Sequence, residues 1–427
     1  MATYTFFNVP AWGHVNPTLA VVQELVRRGH NVNYYLTENF RETIQATGAN
    51  FQPYESKLQA LMASGAGGFT QANGFPAGGV GPTVLMEDLH SVPPQVIERI
   101  RTQPPDVIIY DFICAWARPV IEALQVPAIA VRGTYASNEQ FNLLDRMRVG
   151  LQNMPGAQAF MNRIQAMRAY SEEHGEVSTN HLATLLSMFS SVEQFTIVFI
   201  PRFFQPMGET FDERFLFVGP PILPRYQETP FPLDQLRNDL PLLYISLGSI
   251  ATNQPEFYKQ CFEAFGEQAW QVVLSVGKHI DVAQLGPVPT NFLLSSYVPQ
   301  LDILSRTQVF VTHAGTNSVM ESMYYGVPMV LIPQQPEQYM HAQRAVELGL
   351  GVHLDKASVT AATLREAVDQ VAQNTAYREH AQSLRQITRD AGGYQKAADA
   401  IVQFAHSATN ASVSRITTPT QHADPPN

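Results

Sequence analysis

The segment from Tyr297 to Gln338, YVPQLDILSRTQVFVTHAGTNSVMESMYYGVPMVLIPQQPEQ, limits the possible folds of this chain more than any other. Its β-branched run Val309 to Thr312 is typical of a buried parallel strand, and the small residues after it predict a turn. A helix is predicted over Ser318 to Tyr325, where Gly326 ends it before a second strand at Met329 to Pro333. A strand, a helix and a strand in this order predict parallel pairing, and hence an α/β fold.

The start of the predicted helix offers a site for phosphate. Thr316 or Asn317 can cap the helix, and a helix N-terminus presents unpaired backbone N–H groups with partial positive charge. Glu321, one turn further on, can accept hydrogen bonds from ribose hydroxyls. Tyr297 offers a flat ring on which a base can stack. Together these features predict a site for a nucleoside diphosphate.

Two further groups of residues extend this predicted site. After the strand Leu242 to Leu247, Gly248 lets a phosphate approach the backbone, and Ser249 offers a hydroxyl. Glu337 and Gln338 follow the second strand, where they can hold the hydroxyls of a sugar. The complete set of residues predicted to bind the nucleotide sugar is Ser249, Tyr297, Val298, Gln300, His313, Gly315, Asn317, Ser318, Glu321, Glu337 and Gln338.

The N-terminal half shows the same alternation of strand and helix. Tyr4 to Val9 and Asn31 to Leu36 are predicted strands. Between them, Pro10 to Val15 is predicted as a loop, and Asn16 as the cap of a helix with Pro17 in its first turn. This βαβ pattern predicts a doubly wound parallel sheet, in which ligands bind at the carboxyl ends of the strands.

His14 and Asp111 lie at two such strand ends. Asp111 closes the run DVIIY, Asp106 to Tyr110, and His14 follows the first strand. At the rim of one parallel sheet, Asp111 could accept a hydrogen bond from one imidazole nitrogen while the other takes a proton from a hydroxyl group. The pair is predicted to be catalytic. The alternatives are a loop or capping histidine and an aspartate that caps a helix.

Two stretches resemble a known family. Between residues 297 and 338, the order aromatic, Pro-Gln, His-x-Gly-x-Asn-Ser, Glu, Gly-x-Pro, Glu-Gln resembles the donor-binding signature of the UDP-dependent glycosyltransferases of family 1, which have the GT-B fold. The stretch NVPAWGHVNPTLAVVQELVRRGHNV is similar to the opening of the bacterial macrolide- and flavonoid-type members. In those members the residue matching His14 is the base, and the residue matching Asp111 is its partner.

The resemblance implies two Rossmann-like α/β domains that face each other across a cleft, with the acceptor on the first and the nucleotide sugar on the second. It implies an inverting, metal-independent transfer, with glucose from UDP-glucose as the first expectation. The expected acceptor is a hydrophobic small molecule such as a flavonoid, macrolide or triterpenoid. Two alternatives stay open on the same architecture: a GT-B-type UDP-sugar epimerase, and a non-catalytic protein that binds a nucleotide sugar.

No cofactor or metal is expected. The sequence has no Asp-x-Asp pair at a strand end near the site and no cluster of His, Cys and carboxylate ligands. The two cysteines, Cys114 and Cys261, lie far apart and indicate neither a disulfide framework nor a metal cluster.

The length of 427 residues predicts two domains. We place an acceptor-binding domain at 1–219, a proline-containing linker at 220–239, a nucleotide-sugar domain at 240–390 and a disordered tail at 407–427. By the resemblance, residues 391–406 form a helix that packs back on the first domain. Residues 64–83 are rich in glycine and predict a mobile loop. It is either a disordered linker or, since this region borders the acceptor pocket in the resembled family, a gate.

Charge and hydropathy limit the possible partners and location. The net charge of -10 and the pI near 5.6 argue against binding to nucleic acid or to an anionic membrane. The sequence shows neither a signal-peptide pattern nor an apolar run long enough to cross a bilayer. A cytoplasmic protein without membrane insertion is therefore expected. The sequence does not specify an oligomeric state.

Overall fold

Two parallel β-sheets organise the chain in a computed structural model. The structure describes residues 1–57, 59, 80–146, 188, 192–225, 231–249, 252–277 and 280–417. The glycine-rich loop predicted from the sequence therefore lies, up to residue 79, outside the described residues.

The N-terminal domain is built on seven strands, which are β1 (Thr3–Phe7), β2 (Asn31–Leu36), β3 (Asn50–Pro53), β4 (Val107–Asp111), β5 (Ala128–Arg132), β6 (Thr196–Val198) and β7 (Phe215–Phe217). Their spatial order is β3-β2-β1-β4-β5-β6-β7, and neighbouring strands are parallel. The helices of this domain are α1 (Trp12–Arg27), α2 (Arg41–Gln45), α3 (Val80–Arg101) and α4 (Ala117–Leu124). The strand order reverses between β1 and β4, and a doubly wound sheet binds ligands at such a switch point.

The C-terminal domain is built on six strands, which are β8 (Leu242–Ser246), β9 (Gln271–Ser275), β10 (Phe292–Ser295), β11 (Thr307–Thr312), β12 (Met329–Leu331) and β13 (Gly351–His353). Their order is β10-β9-β8-β11-β12-β13, again parallel, with the switch point between β8 and β11. The helices are α5 (Pro255–Phe265), α6 (Gln300–Leu304), α7 (Thr316–Tyr325), α8 (Pro336–Glu347), α9 (Ala361–Gln373) and α10 (Thr375–Asp390).

The central strands are apolar along their length because both faces of each sheet are covered. All five residues of β4 are buried. In β1, Tyr4 and Phe6 belong to one apolar cluster, and Phe7 belongs to another. Burial on both faces favours continuous β-branched and aromatic runs in parallel strands. The strands therefore form a fixed base from which the residues at their carboxyl ends reach the cleft.

The two domains share an apolar cluster. Tyr135, Phe204 and Phe217 of the N-terminal domain belong to the same cluster as Val319 and Met323 of α7. Tyr135 also stacks on Phe204, with 5.7 Å between ring centroids. This shared core joins the start of the C-terminal site to the N-terminal sheet.

The last helix, α11 (Gly393–Thr417), returns to the N-terminal domain. Ala397, Ala398 and Ile401 are fully buried in the cluster that also contains Tyr4 and Val22. This helix extends to Thr417, ten residues past the point at which the sequence predicts a disordered tail to begin. No proline lies within this helix, so no residue interrupts its hydrogen bonding in that way.

Helix α1 begins earlier than the sequence predicts. Its first residue is Trp12, so His14 lies in its first turn and not in a loop, and Asn16 is not its cap. The carbonyl of Ala11 accepts hydrogen bonds from the N–H groups of His14 at 2.9 Å and Val15 at 3.0 Å. Trp12 packs on the Phe40 ring with 4.6 Å between centroids. These contacts start the helix five residues before Pro17, which the sequence places in its first turn.

Two other helices also begin early. Helix α3 starts at Val80, so Val80–Thr83 do not belong to the predicted glycine-rich loop. Helix α8 starts at Pro336, whose fixed φ suits the first helical position, so Glu337 and Gln338 lie in a first helical turn. Within the described ranges, no helix is long and apolar enough to cross a bilayer.

Candidate active site

His14 and Asp111 lie side by side at the switch point of the N-terminal sheet. Nδ1 of His14 is 2.9 Å from Oδ2 of Asp111, whose side chain is 2% exposed. The other carboxylate oxygen accepts a hydrogen bond from the backbone N–H of Ile113 at 3.0 Å. An aspartate that accepts a hydrogen bond from Nδ1 leaves the lone pair on Nε2. The His14 side chain is 26% exposed, so the ring is open to a ligand.

The surroundings of His14 make it a stronger base. Burial lowers the pKa of His14, but the charge and hydrogen bond of Asp111, together with the charge of Glu337, outweigh burial and raise the pKa above its ordinary value. Asp111 acts from the same domain, whereas Glu337 acts from α8 of the other. The electrostatic environment of His14 is therefore set by both domains.

A buried polar network, which the sequence analysis missed, holds the first turns of α1. Asn8 donates through Nδ2 to the carbonyl of His14 at 3.0 Å and to the Tyr34 hydroxyl at 2.9 Å. The Tyr34 hydroxyl lies 2.7 Å from that of Thr18. None of these three side chains is more than 1% exposed. Buried networks of this kind fix orientation, here that of the turn that carries His14. The available sequence signal was a polar Asn8 directly after an aromatic strand.

The turn after β11 packs His313 between two glycines. A Cβ atom at Gly315 would lie 2.4 Å from Nε2 of His313, and a Cβ atom at Gly248 would lie 2.5 Å from Cε1. Between His313 and Gly315, the buried Ala314 has a left-handed φ of 61°. The glycines are therefore needed for the close packing of the ring, in addition to any approach of a phosphate.

Burial keeps His313 neutral. It lowers the pKa of His313 to about 4, against an upward effect of a backbone hydrogen bond with Ser246, while His341 lowers the pKa further. A neutral imidazole has a single N–H group, which donates either to the Ser246 carbonyl or to a phosphate oxygen.

Glu321 is buried and already hydrogen bonded. Its side chain is 2% exposed, and its two oxygens accept hydrogen bonds from Arg225 and from Nε2 of Gln300, each at 2.6 Å. Nε2 of Gln300 also lies 3.5 Å from the hydroxyl of Ser318, and the Gln300 carbonyl oxygen accepts from the Tyr244 hydroxyl at 3.1 Å. The structure thus brings Gln300, Ser318 and Glu321 together, as predicted. It adds Arg225, one of two arginines in the proline-containing linker, which the sequence pattern did not single out.

Three other predicted donor-binding residues differ in exposure. Tyr297 is 39% exposed, so solvent reaches part of its side chain. Val298 is 5% exposed and packs in the shared apolar cluster, so only its backbone can contact a ligand. Ser249 is exposed on the loop after β8.

The first turn of α8 places Glu337 and Gln338 differently. Oε1 of Gln338 accepts hydrogen bonds from the backbone N–H groups of Gln334 at 2.7 Å and Gln335 at 3.1 Å. Gln338 therefore caps its own helix, and its amide NH₂ group is the part left for a ligand. Glu337 is 38% exposed and lies 3.9 Å from Nε2 of His341.

His341, a residue that the sequence analysis missed, connects the domains. It is 1% exposed, with Nδ1 3.3 Å from the carbonyl oxygen of Ala314 and Nε2 3.2 Å from the hydroxyl of Thr134. Burial lowers the pKa of His341, against an opposing effect of Glu337. The neutral ring can thus donate to Ala314 and accept from Thr134. The polar sequence of α8 predicts a surface position for His341, so its contact between the domains is visible only in the folded structure.

A second contact between the domains joins α7 to α1. Nδ2 of Asn317 donates to the carbonyl oxygen of Gly13 at 3.0 Å. This bond lies next to His14 and brings the start of the predicted phosphate-binding helix against the helix that carries the predicted base.

No three or more His, Cys, Asp or Glu side chains cluster as potential metal ligands in the part of the chain that the structure describes. Cys114 and Cys261 are both buried as free thiols.

Comparison with known proteins identifies the family. The UDPGT model, described as UDP-glucoronosyl and UDP-glucosyl transferase, matches residues 239–394, which include the whole C-terminal sheet. The chain is 37% identical over 400 residues to the NDP-glycosyltransferase YjiC of Bacillus subtilis (strain 168), across 94% of this chain and 96% of that protein. The chain is a glycosyltransferase of the UDPGT family.

This glycosyltransferase has further relatives along its whole length. It is 32% identical over 411 residues to demethyllactenocin mycarosyltransferase of Streptomyces fradiae, across 94% of this chain and 86% of that protein. The crystal structure of CalG4, the calicheamicin glycosyltransferase, matches with a TM-score of 0.74 and 30% identity, across 95% of this chain and 98% of that chain. The predicted GT-B fold of two parallel-sheet α/β domains is confirmed.

Proposed function

We propose that this glycosyltransferase moves glucose from UDP-glucose to a hydroxyl of a hydrophobic small molecule, with inversion at the anomeric carbon. The observation that carries the proposal is the hydrogen bond between His14 and Asp111 at the switch point of the N-terminal sheet. It supports His14 as an oriented base, and His14 lies on the helix that contacts the start of α7.

The chemical step is a single displacement. Nε2 of His14 takes the proton of the acceptor hydroxyl, and the acceptor oxygen forms a bond to the anomeric carbon. The bond between that carbon and the diphosphate oxygen breaks, and its electron pair leaves with UDP. Because attack comes from the face opposite the leaving group, an α-linked donor yields a β-glycoside. Asp111 stabilises the imidazolium until the proton is released to water.

Residues of the C-terminal domain stabilise the departing diphosphate. The N-terminus of α7, with the N–H of His313 and the hydroxyl of Ser249, faces the developing negative charge. Tyr297 stacks on the base, and Glu321 accepts hydrogen bonds from the ribose. One oxygen of Glu321 already accepts a hydrogen bond from Arg225, so a ribose hydroxyl either displaces Arg225 or shares that oxygen with it. Glu337 and Gln338 hold the hydroxyls of the sugar.

The proposed acceptor is a flavonoid, macrolide, triterpenoid or similar natural product. Two relatives carry names of this kind, a demethyllactenocin mycarosyltransferase and the calicheamicin glycosyltransferase. Next to the proposed base, the ring of Phe112 lies 6.1 Å from that of His14, between ring centroids. Phe112 is 7% exposed, with the Arg132 guanidinium 4.4 Å from its ring centroid, so this ring supports the imidazole of His14 from behind.

The test is UDP release from UDP-glucose with a panel of phenolic and alicyclic acceptors in the presence of EDTA. We expect acceptor-dependent release by the wild type and a loss in His14→Ala on the order of a hundredfold or more, the usual contribution of a general base. His406→Ala, which removes an exposed histidine of α11, should keep the wild-type rate.

Full activity in His14→Ala would refute the assignment of the base. If UDP-glucose binds but no acceptor stimulates release, the transferase proposal fails for this donor and panel. A donor epimerised without acceptor would show the epimerase instead. Loss of turnover in EDTA would refute metal independence.

A further inference from the structure

Pro17 leaves one carbonyl group of α1 without its helical donor. In an α-helix the carbonyl of residue 13 accepts from the N–H of residue 17. Proline has no N–H, and its ring crowds the carbonyl four residues earlier. Pro17 lies inside α1, in its second turn, so the carbonyl of Gly13 lacks this intrahelical bond.

Asn317 of the other domain takes the place of the missing donor. Its Nδ2 atom lies 3.0 Å from the Gly13 oxygen, a bond between residues 304 positions apart in the sequence. Asn317 is the second residue of α7. The bond therefore runs from the start of one domain's proposed phosphate-binding helix to the first turn of the other domain's helix.

The next carbonyl along α1 forms its side-chain hydrogen bond within the N-terminal domain. The carbonyl of His14 accepts a hydrogen bond from Nδ2 of Asn8, which belongs to the N-terminal domain. Two consecutive carbonyls are thus bonded to two asparagine side chains, Asn8 from the same domain and Asn317 from the other. Pro17 and Asn317 also line one pocket between the domains, together with Met320 and Glu321 of α7.

We propose that Pro17 is a positioning residue for the transfer reaction. Because Pro17 has no N–H, the Gly13 carbonyl is left to accept the hydrogen bond from Asn317. The bond sets the distance between His14, one residue further along α1, and the start of α7, where the diphosphate leaves. This inference rests on the proposed function for its effect on rate, but the bond itself can be tested without activity.

The test is Pro17→Ala, which restores an N–H facing the Gly13 carbonyl. The new intrahelical bond competes with Asn317, so the variant should be as stable as the wild type or more stable, yet slower. We expect kcat to fall about fivefold to tenfold, the worth of roughly one hydrogen bond, with the donor KM changed less than about twofold. Pro94→Ala, the same change at an exposed position of α3, is the matched control and should leave kcat unchanged.

A double-mutant cycle with Asn317→Ala separates this role from a general structural one. If Pro17 acts through Asn317, the effect of Pro17→Ala on kcat disappears in the Asn317→Ala background. An unchanged kcat in Pro17→Ala, or the same loss in both backgrounds, would overturn the inference. If Pro17→Ala does not fold, Pro17→Ser restores the same N–H and carries the test.

Hydrogen exchange tests the inference without relying on enzyme activity. The peptide that spans the start of α1 gains one amide in Pro17→Ala, and we expect that amide to exchange slowly because it bonds to Gly13. Fast exchange of the new amide would overturn the inference even if the enzyme is active. Slow exchange of the new amide in Pro17→Ala, combined with no acceptor-dependent UDP release by the wild type, would refute the proposed function alone.

Discussion

At the scale of single residues, the proposed base depends on the orientation and charge of Asp111. The carboxylate is buried, and one of its oxygens is fixed by the backbone N–H of Ile113 while the other meets His14. Burial alone would weaken His14 as a base, because it disfavours the imidazolium. The raised pKa of His14 shows that the neighbouring negative charges prevail.

Asp111→Asn tests this balance through the pH profile. Only neutral His14 accepts a proton, so wild-type kcat/KM should rise with pH through a midpoint above 6.5, the ordinary histidine pKa. Asparagine removes the charge that raises this pKa, so the midpoint should move to lower pH. kcat should fall by about a hundredfold to ten-thousandfold, because an amide stabilises the imidazolium poorly. The profile is measured from about pH 5 to 9, a range that brackets the histidine pKa.

The matched control for this profile is Asp399→Asn, since Asp399 is a 67% exposed residue of α11. It should retain the midpoint and the rate of the wild type. An Asp111→Asn enzyme with an unmoved midpoint would show that the pKa of His14 is set by other groups.

At the scale of elements, the turn between β11 and α7 acts as one packed unit. Ala314 adopts a left-handed conformation, and the ring of His313 lies against Gly315 and Gly248. His341 of α8 contacts the Ala314 carbonyl from the other side. The start of α7 therefore depends on residues from three separate elements.

Gly315→Ala tests the packing of this turn. Gly315 has φ -62°, so alanine adds no backbone strain, but its Cβ would lie 2.4 Å from Nε2 of His313. The ring must move away from the start of α7. We expect kcat/KM for the nucleotide sugar to fall on the order of tenfold, because the hydrogen-bonding group of His313 is misplaced. Initial-rate kinetics over a range of donor concentrations measures this loss.

Gly286→Ala is the control for that variant. Gly286 has φ +86° and open space around its Cβ position, so alanine strains the backbone without touching His313. It should cost about 1 kcal/mol or more of stability and leave donor kinetics unchanged. If Gly315→Ala keeps wild-type donor kinetics, the position of His313 does not matter for the reaction.

At the scale of the whole molecule, polar bonds and a shared apolar cluster hold the two domains together. His341 meets Thr134, Asn317 meets Gly13, and Arg344 donates to the carbonyl of Phe203 at 2.6 Å. Helix α11 follows α10 of the C-terminal domain and packs on the N-terminal domain, where the N–H of Gly393 donates to the Val218 carbonyl at 2.6 Å. The relative position of the two predicted half-sites therefore depends on contacts outside both of them.

Thr134→Val and His341→Phe test the bond at the domain interface. Thr134→Val removes one hydroxyl and should cost about 1 kcal/mol of unfolding free energy. His341→Phe also leaves the Ala314 carbonyl unpaired and should cost about 2 to 4 kcal/mol. If the two side chains bond across the interface, the double variant should lose less than the sum of the two single variants. Urea unfolding measures the three losses, and additive values would contradict the bond.

The alternation of strands and helices could be predicted from the sequence because it depends on local patterns. The apolar runs of β2, β8 and β11 and the helix-stopping Gly326 mark these elements without reference to the rest of the chain. The pairing of His14 with Asp111 was also within reach, since both follow strands of one parallel sheet and such ends meet at one edge. Their catalytic role remains a prediction.

The tertiary structure alone decided how these pieces meet. His14 lies in a helix because the Ala11 carbonyl and the Phe40 ring hold its first turn, and not because of any helix-starting residue. Glu321 forms an ion pair with Arg225. The Gly13 carbonyl, which Pro17 leaves without its helical donor, accepts a hydrogen bond from Asn317. These contacts join residues that are far apart in the chain. They form only when both domains are folded and packed together, and no local pattern of residues encodes that arrangement.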